Sequence, residues 1–234
     1  MRLQKYLANN GVSSRRKCEE YIKNGRVQVN NKVITDMGFL IKLECDEIKF
    51  DNEIIYNKIE NTYILLNKPR GYISSAKDNF GRKTVLDLIN TNKRIYPVGR
   101  LDYETEGMLI LTNDGNLTYK LTHPKHHIDK TYIAKLKGKP TKEEINRFEN
   151  GLIIDNYRTS KALLKIKKVF ENSVITEIRI WEGRNRQIRK MCDKINHPVL
   201  SLKRIAIGDL KIGSLEIGNW RHLTNEEIKI LKEV

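Results

Sequence analysis

The twenty residues from 96 to 115, Tyr-Pro-Val-Gly-Arg-Leu-Asp-Tyr-Glu-Thr-Glu-Gly-Met-Leu-Ile-Leu-Thr-Asn-Asp-Gly, constrain this chain more than any other stretch. Met108 to Leu111 form a short apolar run without a polar break. That length and pattern suit a strand buried on both faces. Just before it, a loop between Gly99 and Gly107 gathers one arginine, three carboxylates and a tyrosine. Asp102 is therefore expected on a loop at the mouth of a sheet, where a rigid scaffold presents reactive groups. A solvated acidic loop is the alternative these residues leave open.

Charge narrows the choice of partner. A formal net charge of +15 over 234 residues calls for a polyanion, with nucleic acid the first choice and an anionic membrane surface the rival. No apolar run approaches the length of a membrane-spanning helix, and the start Met-Arg-Leu-Gln-Lys lacks the apolar core of a signal peptide. A cytoplasmic protein without membrane attachment is expected. Cys18, Cys45 and Cys192 are odd in number and far apart, which fits reduced thiols better than a disulfide framework or a zinc site. His123, His126 and His127 lie close together, but no cysteine or paired carboxylate stands at ligand spacing, so no metal is expected.

The length allows two domains, and the pattern divides them at residues 1–58 and 59–234. Residues 2–10 and 14–24 read as two short helices, with Leu3, Tyr6 and Leu7 on the apolar face of the first and Cys18, Tyr21 and Ile22 on that of the second. Ser13 or Ser14 serves as N-cap, and Gly25 follows the C-terminus. Val27 and Val29, then Val33-Ile34, then Glu47 to Phe50 read as a small sheet packed on the pair. Residues 1–32 hold eight bases against two acids, whereas residues 33–58 hold three bases against six acids. One face of the helix pair is thus expected to contact phosphates, through Arg2, Lys5, Arg15, Arg16, Lys17 and Arg26. The plainer alternative is a solvated face with a Glu19–Lys23 pair.

The order of helix pair, Gly25-Arg26-Val27 and Val29-Asn30 hairpin closely resembles an S4 domain, a small module that binds structured RNA. The resemblance spans some fifty residues and implies RNA binding.

Residues 51–62 are polar and read as a linker. Beyond them come a strand from Thr62 stopped by Pro69, a short helix Val85–Ile89, the central loop and strand, and a helix capped by Asp114-Gly115. An alternating strand covers 130–136, and the capping box Thr141 to Glu144 opens a helix that ends at Gly151. A hairpin joins 162–169 to 174–180, a basic helix covers Arg184–Ile195, a strand covers 199–207 and a last helix starts at Thr224. This order argues for an α+β fold with a mixed, largely antiparallel sheet.

Three segments stand out together: the Asp102 loop, the strand with Tyr132, and Glu182 to Met191, where Arg184, Arg186, Arg189 and Lys190 crowd a helix start. Arginines at a helix N-terminus suit phosphate, and one near a carboxylate keeps it ionised. Residues 62–222 resemble an RNA pseudouridine synthase of the RsuA/RluB type. The resemblance is carried by Pro97 to Asp102 through Thr112 to Gly115, by Lys130-Thr131-Tyr132, by Gly183 to Met191, and by the close with Leu202-Lys203-Arg204, Gly208, Gly218 and Trp220-Arg221. Met108 stands where leucine is expected, and Glu106 where a small residue is common.

The resemblance implies isomerisation of uridine to pseudouridine, with Asp102 as nucleophile, Tyr132 stacking on the flipped uracil and helping to remove the C5 proton, and Arg189 pairing with Asp102. It sets Arg184 and Arg186 against RNA and has Arg100 support the loop or occupy the space vacated by the flipped nucleotide; Arg100 and, from the crowd of bases at the helix start, Lys190 are also expected to contact RNA, and no cofactor is required. The implied partner is ribosomal RNA or an assembling ribosomal subunit, modified by a monomeric enzyme. The large-subunit (23S) enzyme is the nearer likeness and the small-subunit (16S) enzyme the runner-up. Two other readings compete. One is a noncatalytic RNA-binding protein of ribosome assembly; the other is a glycoside hydrolase pairing Asp102 with Glu104 or Glu106.

Overall fold

The structure is a computed structural model that describes residues 1–56 and 60–233. It divides into two compact units, Met1–Asn61 and Thr62–Val234. The boundary expected between residues 58 and 59 falls outside the described residues.

In the first unit, α1 (Leu3–Asn9) and α2 (Arg15–Lys23) pack on a four-stranded sheet of β1 (Val27–Val29), β2 (Lys32–Val33), β3 (Ile48–Phe50) and β4 (Glu53–Ile54), in the order β2-β1-β3-β4. The helix faces meet as the apolar spacing requires: Leu3, Tyr6, Leu7, Cys18 and Ile22 are buried with Val27, Val29 and Ile48. Ser14 caps α2 by accepting from the Lys17 amide. The polar stretch after residue 50 does not begin as a linker. Asp51 and Asn52 both take positive φ, which those residue types tolerate in a two-residue turn, and β4 returns to pair with β3.

The second unit is built on one large sheet. Its strands are β5 (Tyr63–Lys68), β6 (Tyr96–Pro97), β7 (Glu106–Thr112), β8 (Lys130–Lys137), β11 (Ala162–Phe170), β12 (Ser173–Ile180), β13 (Val199–Ile207), β14 (Leu210–Lys211) and β15 (Trp220–His222); the small hairpin of β9 (Ile153–Ile154) and β10 (Tyr157–Arg158) stands apart. The main path runs β11-β12-β8-β13-β7-β5-β15, with β14 on β13 and β6 on β7. Among these pairs β13–β7 is parallel and the others are antiparallel. The α+β, largely antiparallel expectation holds.

The helices α3 (Gly115–Thr122), α4 (Lys142–Glu149), α5 (Gln187–Lys194) and α6 (Asn225–Glu233) complete the unit. Two apolar layers explain the continuous runs of β5 and β7. Ile64, Leu66, Leu109 and Leu111 enter one core with Phe148 of α4 and Ile188 of α5. Tyr63, Leu65, Met108 and Ile110 enter the other with Leu117 of α3 and Leu231 of α6. A strand buried on both faces needs no polar alternation. Gly107 is required where β7 meets β13: its φ is +107°, and a Cβ there would lie 2.2 Å from the Arg204 carbonyl oxygen.

The basic helix is shorter than the residue pattern implies. α5 starts at Gln187, and Arg186 precedes it with φ +51°. Arg184 to Arg186 therefore form the loop leading into the helix, and the Gln187 side chain accepts from the Arg184 amide.

Candidate active site

The Asp102 loop joins β6 to β7 at one end of the sheet and is fixed by its main chain. Lys68, fully buried at the end of β5, donates from Nζ to the carbonyls of Pro69, Asp102 and Thr105 at 3.0, 3.1 and 3.0 Å. Ser74 Oγ donates to the Leu101 carbonyl and accepts from its amide. The Thr105 amide closes the turn on the Asp102 carbonyl at 3.0 Å. Arg189 donates to the Glu104 carbonyl at 3.3 Å and to the Val199 carbonyl at 3.4 Å. Asp102 thus has its backbone tied on several sides, while its half-buried side chain lines a cavity. Burial brings the Lys68 ammonium down to about 8, against which the charges of Asp102 and Glu106 act.

That cavity, about 430 Å³, brings together Asp102, Tyr132 and Arg189 from three separate segments, with Arg100, Arg184 and Arg186 also on its wall. The size fits a nucleoside-sized ligand. Tyr132 is 8% exposed and Arg189 also 8%, so both contribute from the interior rather than from the rim. Burial, then Arg186, pushes the Arg189 guanidinium below the usual arginine range, and the charges of Glu104 and Asp102 act in the opposite sense. The direct Arg189–Asp102 pair implied by the resemblance is not present within 4.0 Å; the guanidinium bonds to loop carbonyls instead, and its Nε is buried without a partner.

The loop 181–186 carries its own support. Glu182 accepts from the Tyr157 hydroxyl, the Ser160 amide and the Gln187 side chain. Burial raises the Glu182 carboxyl, but these bonds win and hold it below the ordinary value. Arg184 lies over the Tyr157 ring at 3.3 Å. Lys190, expected among the RNA contacts, does not line the cavity and is paired with Asp155. Glu106 pairs with Arg70 at 2.7 Å, and neither Glu104 nor Glu106 lines the cavity, so the pairing of Asp102 with either of them that a glycoside hydrolase reading needs is not formed there.

In the first unit, Arg2, Lys5 and Arg15 border one concavity with Gln4 and Glu19. Arg16 is exposed. Lys17 pairs with Glu20, and Glu19 accepts from Gln4 at 3.4 Å. Arg26 is held by Asp51 and lies over the Tyr21 and Phe50 rings at 4.4 and 4.8 Å; it supports the domain as much as it presents charge.

Comparison with known proteins decides the family. Residues 62–194 match the family described as RNA pseudouridylate synthase. The chain belongs to that family. Residues 1–48 of the synthase match the S4 domain, so RNA is its partner and uridine-to-pseudouridine isomerisation its reaction class. The synthase is 46% identical to "Ribosomal large subunit pseudouridine synthase B" of Bacillus subtilis, over 99% of this chain and 95% of that protein. It is 37% identical to an uncharacterised RNA pseudouridine synthase of Aquifex aeolicus, over 97% and 92% of the two chains. A crystal structure of a pseudouridylate synthase aligns with a TM-score of 0.70 at 30% identity, covering 99% of both chains.

Residue patterns did not single out Lys68, Ser74 or Tyr157, and they marked Glu182 as the start of the basic segment without giving it a role. Lys68 left one signal: a lysine closing the apolar strand Tyr63-Ile64-Leu65-Leu66-Asn67 needs buried acceptors.

Proposed function

We propose that the synthase isomerises a uridine of large-subunit ribosomal RNA, with Asp102 as the nucleophile, Tyr132 as the stacking and proton-handling group, and Arg189 as the residue that sets the loop and its field. The observation that carries this reading is the convergence of Asp102, Tyr132 and Arg189 on one cavity. The 46% identity to the Bacillus subtilis large-subunit synthase supports the choice of RNA.

In this reading the target nucleotide leaves its stack and enters the cavity. The Asp102 carboxylate bonds to C1′ as the C1′–N1 bond opens and its electron pair passes to the uracil; the uracil turns while retained against Tyr132, C5 bonds to C1′ as the bond to Asp102 breaks, and the C5 proton departs with the help of the Tyr132 hydroxyl while N1 takes up a proton. Stacking worth about 1–3 kcal/mol offsets much of the flipping cost. The sequence is redox-neutral and moves no phosphate, so its chemistry calls for no cofactor.

Arg100, Arg184 and Arg186 hold the RNA around the cavity, while Arg2, Lys5, Arg15 and Arg16 of the S4 domain supply affinity and register. Lys17, Arg26 and Lys190 reach a phosphate only by exchanging an existing ion pair for it. The enzyme acts as a cytoplasmic monomer on ribosomal RNA or an assembling subunit. The test is to incubate it with transcripts of both ribosomal RNAs and map pseudouridine: a new one in the large-subunit RNA alone is expected, and one in the small-subunit RNA alone overturns the target.

A further inference from the structure

Beyond Asp102, Tyr132 and Arg189, the cavity contains two cations that the reaction scheme above leaves unused. Lys130 of β8 and Arg204 of β13 both line it. Arg204 is the cross-strand partner of Tyr132, so their side chains rise from the same face of the sheet. Arg204 is 5% exposed. Its Nε donates to the Met108 carbonyl at 2.8 Å, but Nη2 is buried with no hydrogen-bond partner. Asp129, next to Lys130 in sequence, is paired with Arg179 at 3.3 Å. Lys130 donates to the Ile128 carbonyl, and burial, with the Arg204 charge adding to it and the Asp129 charge acting against it, brings its ammonium down to about 8.

A buried guanidinium with an unmade bond is costly unless its acceptor arrives with a ligand. We propose that Arg204, with Lys130 beside it, forms the polar floor of the uracil site, where Nη2 donates to a carbonyl oxygen of the flipped base. This rests on the pseudouridine synthase reading of the same cavity. The base is the part of a flipped nucleotide that reaches a cavity floor; its phosphates stay on the path of the strand at the mouth. The charge demand agrees. When the C1′–N1 bond parts, its electron pair passes to the uracil ring and spreads over O2 and O4. A fixed cationic donor at one of those oxygens stabilises the detached base and holds it while it turns.

The test uses the full-length enzyme, an RNA fragment spanning the mapped target uridine, and the variants Arg204→Met and Arg204→Lys. Single-turnover pseudouridine formation should fall about 100- to 1,000-fold in Arg204→Met, with RNA affinity within about threefold of wild type. The same fragment is then made with 2-thiouridine or 4-thiouridine at the target, sulfur being the weaker acceptor. Wild type should be slowed at one of the two positions, and the variant should show no further slowing there, which a merely structural role would not produce. If Arg204→Met does not fold, Arg204→Lys, which keeps the charge but lacks Nη2, carries the same comparison. An Arg204→Lys enzyme as fast as wild type, or one slowed by both thio substitutions as much as wild type, overturns the inference and leaves the reaction standing. A variant that loses RNA affinity instead of rate places Arg204 on a phosphate and also overturns it. A wild type that modifies neither ribosomal RNA removes the underlying reading and this inference together.

Discussion

Replacing Lys68 by methionine separates positioning from stability. The buried ammonium donates to three carbonyls, those of Pro69, Asp102 and Thr105. Its displacement from 10.5 to about 8 corresponds to a cost of about 3 kcal/mol for holding the charged form in the fold. Methionine of similar length removes that cost, but it withdraws the donor from acceptors whose orphaning costs roughly 1–3 kcal/mol each. The Asp102 carbonyl keeps the Thr105 amide. With two carbonyls orphaned, the opposing terms leave a net change between about 1 kcal/mol of stabilisation and about 3 kcal/mol of destabilisation, or a melting shift of no more than about 12 °C for a chain of this size. Activity has no such compensation. A loop that drifts by about 1 Å costs on the order of 100-fold in rate, so single-turnover pseudouridine formation should fall at least that far while RNA affinity holds.

The pH dependence gives a second readout for the same variant. Because the folded Lys68 value lies below the unfolded one, the unfolded chain binds more protons between pH about 8 and 10.5, and this group makes stability rise with pH across that window. Lys68→Met should lose that share of the rise. Activity within about threefold of wild type would refute the argument that Lys68 sets the loop.

Three other outcomes follow. Gly107→Ala forces a Cβ to 2.2 Å from the Arg204 carbonyl oxygen at φ +107° and should lower stability by more than about 3 kcal/mol in thermal unfolding, whereas Gly183→Ala, which meets nothing within 4 Å, should leave it unchanged. Arg15→Gln and Arg16→Gln should each reduce the slope of log affinity against log salt by about 0.7–0.9 in filter-binding titrations; Arg26→Gln, which frees Asp51 and two rings, should instead lower the melting point of the S4 domain. Thiol labelling of the native enzyme should modify exposed Cys45 and spare buried Cys18 and Cys192, the latter thiol being pushed up to about 12 by burial.

Much of this architecture was legible in the chain because local chemistry decides it. The apolar run Met108–Leu111, the capping box Thr141–Glu144 and the Asp114 cap all appear where the residues place them. Asp102, Tyr132 and Arg189 were legible as three segments, and the sheet joins them. What misled was polarity read as a linker: Asp51-Asn52 is a turn between paired strands. The start of α5 was misplaced because nothing local reveals that Gln187 would turn back to the Arg184 amide. Arg189 bonds to the carbonyls of Glu104 and Val199, partners that only tertiary packing brings near. Lys68 escaped notice, and Arg204 stood in a motif without a role, for the same reason, since a buried cation is explained by acceptors far away in sequence.

The account's central claim is that the Asp102 carboxylate, held by a fixed loop in this cavity, performs the chemistry. It is tested most directly by comparing wild type, Asp102→Asn and Asp102→Ala for single-turnover pseudouridine formation in large-subunit ribosomal RNA and for affinity to the same RNA. The account predicts one new pseudouridine with wild type and none with either variant, at RNA affinities within about threefold of one another, because phosphate contacts rather than Asp102 supply the binding. Product formed by Asp102→Ala at a rate near that of wild type would contradict it.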